Sequence, residues 1–333
     1  MEPELVVYPI RWKLAPTAGE NHWARNWLTF QSNRGLAPNT LEAYVRGIEI
    51  YFAFLAKQSV RMEDATRVEI SAYINGFLSQ QPQGLSNATV QQRITIVRLF
   101  YAYLVEEGVC ARNPALSHSP GVRSLVPRHR RLPWIPTEEE WSAILASARQ
   151  EPLRNRLMLA MSYDSALRRE EVCRIRTDDI DPAHRLIRLR VDCTKGRSER
   201  VVPYSASTGV LYGQYLAVRR ELTRDRGYLF VSESRRNRGR PISIWCWSKV
   251  VERIADRSGV TDFTTHTPRH LCLTDLAREN WDIHEIATFA GHRNVETTLQ
   301  YIHLSGRDLA SKLARSMASL HARRVQLLTE FEQ

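Results

Sequence analysis

Residues 119 to 136 read S-P-G-V-R-S-L-V-P-R-H-R-R-L-P-W-I-P, and no other stretch constrains the fold of this 333-residue chain as much. Four prolines fix φ and remove backbone donors, while four arginines and one glycine supply no apolar face, so the segment predicts an extended linker. The chain then divides into a domain over residues 20–118 and another over 137–304, each of ordinary domain size. Residues 1–19 form an N-terminal extension and residues 305–333 a C-terminal helix or tail.

Upstream of the linker the apolar residues fall at three- and four-residue steps over 20–33, 38–57, 66–80 and 86–107, which predicts four helices and no strand. Asn39 or Thr40 can start the second helix and Ser86 the fourth, which Gly108 and Asn113-Pro114 end. Downstream, T-E-E-E-W at 137–141 is a helix start with acids in its first turn. The helix runs to about residue 150, and another covers 152–165. R-L-I-R-L-R-V-D-C at 185–193 alternates strictly and is followed by T-K-G-R-S-E-R-V-V-P, predicting a β-hairpin that turns near Gly196 with Lys195 at the turn. Helices are expected over 205–225, 243–258, 268–280, 282–290 and 294–300, with a short strand at 228–232. The fold class is mainly α: a helical first domain, then a mixed α/β domain that is mostly helical with a small β-sheet.

Lysine and arginine number 47 against 36 acids, giving a net charge of +11, and both parts share the excess: +5 up to residue 136 and +6 beyond it. A basic chain of this kind suits a polyanion, most often nucleic acid. Five cysteines, Cys110, Cys173, Cys193, Cys246 and Cys272, are scattered without a C-x-x-C pair, which argues against a disulfide framework and a structural zinc site. No apolar run approaches the roughly 18 residues of a membrane span, and Met-Glu-Pro-Glu lacks the basic start of a signal peptide, so a cytoplasmic protein is expected.

Four stretches of the second domain place polar, mostly cationic groups at structural transitions: S-A-L-R-R-E-E-V (165–172), T-K-G-R (194–197), T-H-T-P-R-H (265–270) and A-G-H-R-N-V-E-T-T-L-Q-Y (290–301). In order and spacing they resemble the tyrosine recombinases, or phage integrase family, with its pattern of Arg, Lys, His-x-x-Arg, His or Trp, and Tyr. The resemblance assigns the catalytic set Arg168, Lys195, His266, Arg269, His292 and Tyr301. It departs from the usual pattern at Ala166, where the family has Gly, at Pro268 inside H-x-x-R, and at Ala290 before Gly-His. Two stretches of the first domain, 36–55 and 86–114, are similar to that family's core-binding domain.

The resemblance implies a DNA recombinase without cofactor or metal. A phosphodiester passing through a five-coordinate transition state gathers charge on its non-bridging oxygens, and fixed donors must meet it. Arg168 and Arg269 are forks for that phosphate and His266 and His292 further donors. Tyr301 is the implied nucleophile, forming a 3′-phosphotyrosyl bond, and Lys195 the implied general acid for the leaving 5′-oxygen. Lysine is rare here, 5 residues against 42 arginines, so a lysine at the turn hints at a titrating role.

Taken singly, each residue has an ordinary reading. Arg168 could close a helix ending at Leu167 with Glu171 as a surface ion-pair partner, although Glu171 reads better as support for Arg168. Histidines commonly cap helices, and a tyrosine on an amphipathic helix is usually packing. His270 and His303 match no position of the pattern and are read as structural.

The family lays the helices carrying Arg46, Thr89, Gln91, Gln92, Arg93 and Arg98 against DNA. The basic runs 128–131 (Arg128, Arg130, Arg131) and 235–240 are either solvated loops or phosphate contacts. The implied partner is double-stranded DNA with an inverted-repeat core site. Leu309, Leu313, Met317 and Leu320 form one apolar stripe opposite Arg307, Lys312, Arg315 and Arg323, which either packs on its own domain or docks on a neighbour to close a tetramer on DNA. Two rival readings are a catalytically silent DNA-binding accessory protein and a type IB topoisomerase or telomere resolvase.

Overall fold

A computed structural model describes residues 8–78, 85–116, 125–126, 132–194, 198–304, 315 and 324–326. The chain forms two compact units, Met1–Arg131 and Leu132–Gln333. Most of the Pro/Arg stretch, including Arg128, Arg130 and Arg131, lies outside the described residues, as do Lys195, the turn at Gly196 and nearly all of the C-terminal stripe. Of that last segment Arg315 and residues 324–326 are described, and they are helical and exposed.

In the first unit, helices α1 (Pro16–Glu20), α2 (His22–Asn33), α3 (Pro38–Lys57), α4 (Arg67–Ala72) and α5 (Asn87–Glu106) surround one aromatic core. Helix α3 starts on Pro38 itself rather than on Asn39 or Thr40, because proline's missing N–H costs nothing in a first turn. Ser86 caps α5 through Thr89 N at 3.2 Å. Trp27, Tyr51, Phe100 and Tyr101 are fully buried. The Tyr101 hydroxyl donates to the Met62 carbonyl at 2.9 Å, which leaves Tyr51 to donate to Tyr101 at 2.8 Å, so neither buried hydroxyl is orphaned. At Gly47 a Cβ would stand 2.6 Å from Ile96 Cδ1, so a larger residue on α3 would have to push the Ile96 side chain of α5 aside. The helix expected over 66–80 gives way to a π-helical turn at Tyr73–Leu78, where Asn75 and Gly76 are weak helix formers.

The second unit contains α6 (Glu138–Ala148), α7 (Leu153–Asp164), α8 (Arg169–Arg174), strands β1 (Ile180–Asp181), β2 (Leu186–Leu189) and β3 (Arg200–Pro203), then α9 (Ala206–Leu222), α10 (Ile244–Ser258), α11 (Thr267–Arg278), α12 (Ile283–Ala290) and α13 (Glu296–Leu304). Thr137 and Glu140 form the capping box that T-E-E-E announces: Thr137 N donates to Glu140 Oε2 at 2.7 Å and Glu140 N to Thr137 Oγ1 at 3.2 Å. The antiparallel sheet runs β1-β2-β3, with Ile187 opposite Val202 and Leu189 opposite Arg200. Strand β2 is shorter than the alternation over 185–193 suggests, because the chain turns after Leu189 and Cys193 N donates to the Arg190 carbonyl at 3.1 Å.

The strand expected at 228–232 is absent, and only isolated bridges join Tyr228 to Arg176 and Val231 to Pro241. The backbone here is satisfied partly by other backbone, Leu229 N donating to the Ile175 carbonyl at 2.8 Å, Ser232 N to that of Arg240 at 2.7 Å and Ile242 N to that of Phe230 at 3.1 Å, and partly by side chains of α7 and α9. Tyr215 Oη donates to the Leu229 carbonyl and accepts from Val231 N, Arg219 donates to the carbonyls of Tyr228 and Leu229, and Arg154 donates to that of Val231. Leu229, Phe230 and Val231 therefore enter the core from an irregular segment. Short α8 was also not expected. Arg168 does not close a preceding helix: α7 ends at Asp164, and Arg168 is the cap residue that opens α8.

Candidate active site

The site is built at chain reversals around a small buried cluster that includes Ala166, Cys272, Leu273, Ala290 and Tyr301. After α7 the chain turns through Ala166, whose φ of +45° lies in the left-handed region that favours glycine, and whose side chain is fully buried. The turn delivers Arg168 in an extended conformation to the start of α8. Glu171, with no exposed surface, reaches back to Arg168 N and Arg168 Nη1, both at 2.8 Å. Arg168 Nη2 donates to the Gly291 carbonyl at 3.2 Å.

Arg200 on β3 closes the other side of Glu171 and donates to the Phe289 carbonyl through Nε at 3.2 Å. Burial alone would raise the Glu171 pKa, but the hydrogen bonds and charge of Arg200, joined by Arg168, hold it down to about 2. Gly291 ends α12 with φ +64°, and a Cβ there would stand 2.9 Å from Arg200 Nη1. Conformation and space both require glycine at that turn, where α12 hands the chain to His292.

Helix α11 contributes His266 at its cap, with Pro268 in the first turn where no helical donor is lost. Arg269 is buried. Its guanidinium donates to the carbonyl of Ala166, to that of Ala290 at 2.7 Å, and to His292 Nε2 at 3.0 Å. Burial and the neighbouring Arg168 lower its pKa to about 10, against the opposing pull of Glu171. An arginine has no acceptor, so His292 Nε2 accepts and its Nδ1–H donates to Thr298 Oγ1 at 2.9 Å. This fixes the tautomer of a neutral imidazole, and burial followed by Arg269 and Arg168 brings the His292 pKa down to about 3. To donate to a phosphate through Nε2, His292 must therefore take up a proton there or switch tautomer, and in either case give up the hydrogen bond from Arg269.

His266 is exposed on one side. Desolvation of its inner side lowers its pKa, with Arg169, Arg269 and Arg168 acting in the same direction and Glu170 against them.

Helix α13 places Tyr301 with 1% of its surface exposed. Its ring lies parallel to His292, 9° between planes and 6.1 Å between centroids, and its hydroxyl is 2.9 Å from His270 Nδ1. Burial raises the Tyr301 pKa, while Arg269, a hydrogen bond from Gln300 and Arg168 pull it down. Arg168, Arg269, His292 and Tyr301 are thus joined in one contact network, with His266 at its edge. The sequence reading left out Arg200, Thr298 and His270. His270 follows His266 by four residues, one helical turn, which puts both on one face of α11. Thr298 lies three residues before Tyr301 on α13 and is fully buried. Among the described residues no group of three or more His, Cys, Asp or Glu could hold a metal ion, and no helix is long and apolar enough to cross a membrane.

In the first unit, Gln92 is exposed on α5 on a face shared with Ala88 and Thr95. Arg46 is exposed on α3 and paired with Glu42 at 2.7 Å. Thr89 is bound to Ser86 Oγ, Gln91 to Asn87, and Arg93 lies against Tyr73, and these three are half-buried like Arg98. The arginine-rich run 235–240 is a largely exposed loop.

Residues 136–307 match the family described as "Phage integrase family", and residues 26–108 match "Phage integrase, N-terminal SAM-like domain". The tyrosine recombinase XerC of Thermodesulfovibrio yellowstonii is 30% identical over 287 residues, covering 83% of this chain and 89% of that protein. XerC of Mycobacterium bovis is 28% identical over 290 residues, covering 84% and 92%. Among solved structures, the XerH site-specific recombinase in a post-cleavage complex with a palindromic difH substrate superposes with a TM-score of 0.71 at 18% identity, over 93% of this chain and 91% of that one. A lambda integrase dimer bound to a COC′ core site gives 0.64 at 18% identity, over 84% and 93%. At that identity the two structures speak for the fold.

Proposed function

The chain belongs to the phage integrase family, and from that premise we propose a site-specific DNA recombinase that uses Tyr301 to cut and rejoin strands through a 3′-phosphotyrosyl intermediate. The observation that carries the reading is the convergence of Arg168, Arg269, His292 and Tyr301, from the start of α8, from α11, from the end of α12 and from α13, in one hydrogen-bonded and stacked cluster.

Arg168 and Arg269 receive the non-bridging oxygens of the scissile phosphate, and His266 and a protonated His292 add donors. An incoming anion favours that protonation, since it raises the pKa of an imidazole beside it. A lone pair of the Tyr301 oxygen forms the bond to phosphorus, the bond to the 5′-oxygen breaks, and Lys195 gives the leaving oxygen its proton. The covalent ester retains the energy of the broken bond, so a 5′-hydroxyl of another strand reverses the step and joins new partners.

DNA with an inverted-repeat core is the partner in this reading. Gln92 and Arg46, on exposed faces of α5 and α3, are the best supported of the first unit's contacts, and Arg128, Arg130 and Arg131 belong to the backbone-contacting set. The apolar stripe of residues 309–320 docks on a neighbouring subunit to close a tetramer, and truncation after residue 305 removes assembly while sparing DNA binding.

The test is a supercoiled plasmid bearing two copies of a core site selected from a random DNA pool. Defined recombinant circles are expected. Relaxation alone indicates a topoisomerase, and binding without strand cleavage indicates an accessory protein; either result overturns the reading.

A further inference from the structure

His270 has no part in the catalytic set, yet it is the side chain that holds the reacting hydroxyl. We propose that His270 accepts the phenolic proton of Tyr301 during attack on phosphorus, acting as the general base for the nucleophile. The inference rests on the recombinase reading of the same site.

The geometry puts an imidazole nitrogen within hydrogen-bond reach of the phenol. His270 Nδ1 lies 2.9 Å from Tyr301 Oη, with ring centroids 5.8 Å apart. A tyrosine hydroxyl can donate to a ring nitrogen, and the His270 tautomer with its hydrogen on Nε2 leaves Nδ1 to accept from Tyr301. Tyr301 is 1% exposed, so no bulk water stands ready to take the proton. His270 is neutral at rest, since burial and the nearby His266 and Arg269 keep its pKa near 4, so one ring nitrogen carries a lone pair, Nδ1 in the tautomer protonated on Nε2. A phosphate bound by Arg168 and Arg269 brings negative charge beside this imidazole and makes it more basic when the substrate is in place.

In the step itself, a lone pair of the Tyr301 oxygen forms the O–P bond. The O–H pair stays on that oxygen while the proton moves to His270 Nδ1. The pair of the broken P–O bond leaves with the 5′-oxygen, which is protonated separately. In the reverse step the cationic His270 returns its proton to the departing phenol. Of the two histidines on this face of α11, His270 is the one with a ring nitrogen 2.9 Å from the hydroxyl, and the His266 ring centroid lies 6.3 Å from that of His270.

The experiment measures single-turnover formation of the covalent protein–DNA complex on a nicked substrate with the parent protein, H270A and H270N, alongside DNA binding and thermal melting. H270A is expected to bind DNA like the parent and to form the complex about 100-fold more slowly or worse, the usual size of a general-base contribution. Added imidazoles should restore the rate in proportion to their basicity. H270N keeps a hydrogen-bond acceptor in the place of Nδ1 but takes no proton, so it should remain slow even where H270A is too unstable to assay. A parent-like rate for either variant overturns the proposal, as does rescue that is absent or indifferent to basicity. If the parent protein itself forms no covalent complex, the recombinase reading has failed rather than this one.

Discussion

Arg200 meets both carboxylate oxygens of Glu171, at 2.9 and 2.8 Å, and Glu171 in turn holds Arg168 at the mouth of the site. A strand residue thus braces Arg168, the arginine proposed to bind the phosphate, through one buried carboxylate. Replacing Arg200 by alanine leaves that carboxylate buried with half its partners gone, and breaking such a pair costs about 3–5 kcal/mol. Urea unfolding should report the loss. Covalent-complex formation at saturating DNA should fall together with it, because Glu171, no longer held from the β3 side, positions Arg168 less firmly.

Acid should destabilise the second unit in two overlapping windows. The pKa values of His270 and His292 lie at about 4 and 3, below the ordinary 6.5, so the unfolded chain binds more protons at those sites. Their contribution is complete above about pH 6.5 and is lost as pH falls toward 4 and 3. Glu171 is held near 2, and so is Glu151, whose burial is outweighed by Arg253, Asn155 and Arg257. Stability from the two carboxylates is complete above about pH 4.5 and fades toward pH 2. Melting temperature against pH should therefore decline from near neutrality downward, and H270N should flatten the upper part of that decline.

Ala166 occupies a left-handed turn while its carbonyl accepts from Arg269. Ala166→Gly should change unfolding free energy by less than about 1 kcal/mol, since relief of left-handed strain offsets the lost methyl. Ala166→Val should cost about 2–4 kcal/mol, because a β-branched residue at this φ is strained and the site is fully packed. Equal effects of the two substitutions would contradict the backbone reading.

If Lys195 protonates the leaving oxygen, a substrate with a 5′-bridging phosphorothiolate should selectively rescue Lys195→Ala, since sulfur leaves without help. Arg168→Ala should gain far less. Rates on the two substrates decide it, and equal failure of both variants removes the general-acid role.

How much of this was legible in the sequence depends on how local the signal is. Capping residues such as Thr137 and Ser86 act within one turn, and the helices they open begin where expected. The resemblance to a known family, carried by the order and spacing of four short stretches, singles out Arg168, Arg269, His292 and Tyr301, which the fold brings together. Tertiary relationships escaped the sequence reading. The segment 228–232 has strand-like residues, but its hydrogen bonds are split between the backbone of Ile175, Arg240 and Ile242 and the side chains of Tyr215, Arg219 and Arg154, which no local pattern reveals. Arg200 read as one of many arginines until its partner Glu171 proved buried. His270 fills no position of the motif, although its one-turn spacing from His266 places it on the same face of α11. The left-handed Ala166 was visible only as a departure from glycine, and its φ supplies the reason glycine suits that place.

The central claim is that Tyr301 becomes covalently joined to DNA. Tyr301→Phe removes the hydroxyl and keeps the ring that stacks on His292, so folding and DNA binding should persist with a stability loss of about 1 kcal/mol for the hydrogen bond to His270. On a nicked suicide substrate containing the selected site, the parent protein should accumulate a denaturation-resistant protein–DNA complex and the Phe variant none. A Phe variant that is still trapped on that substrate would contradict the account.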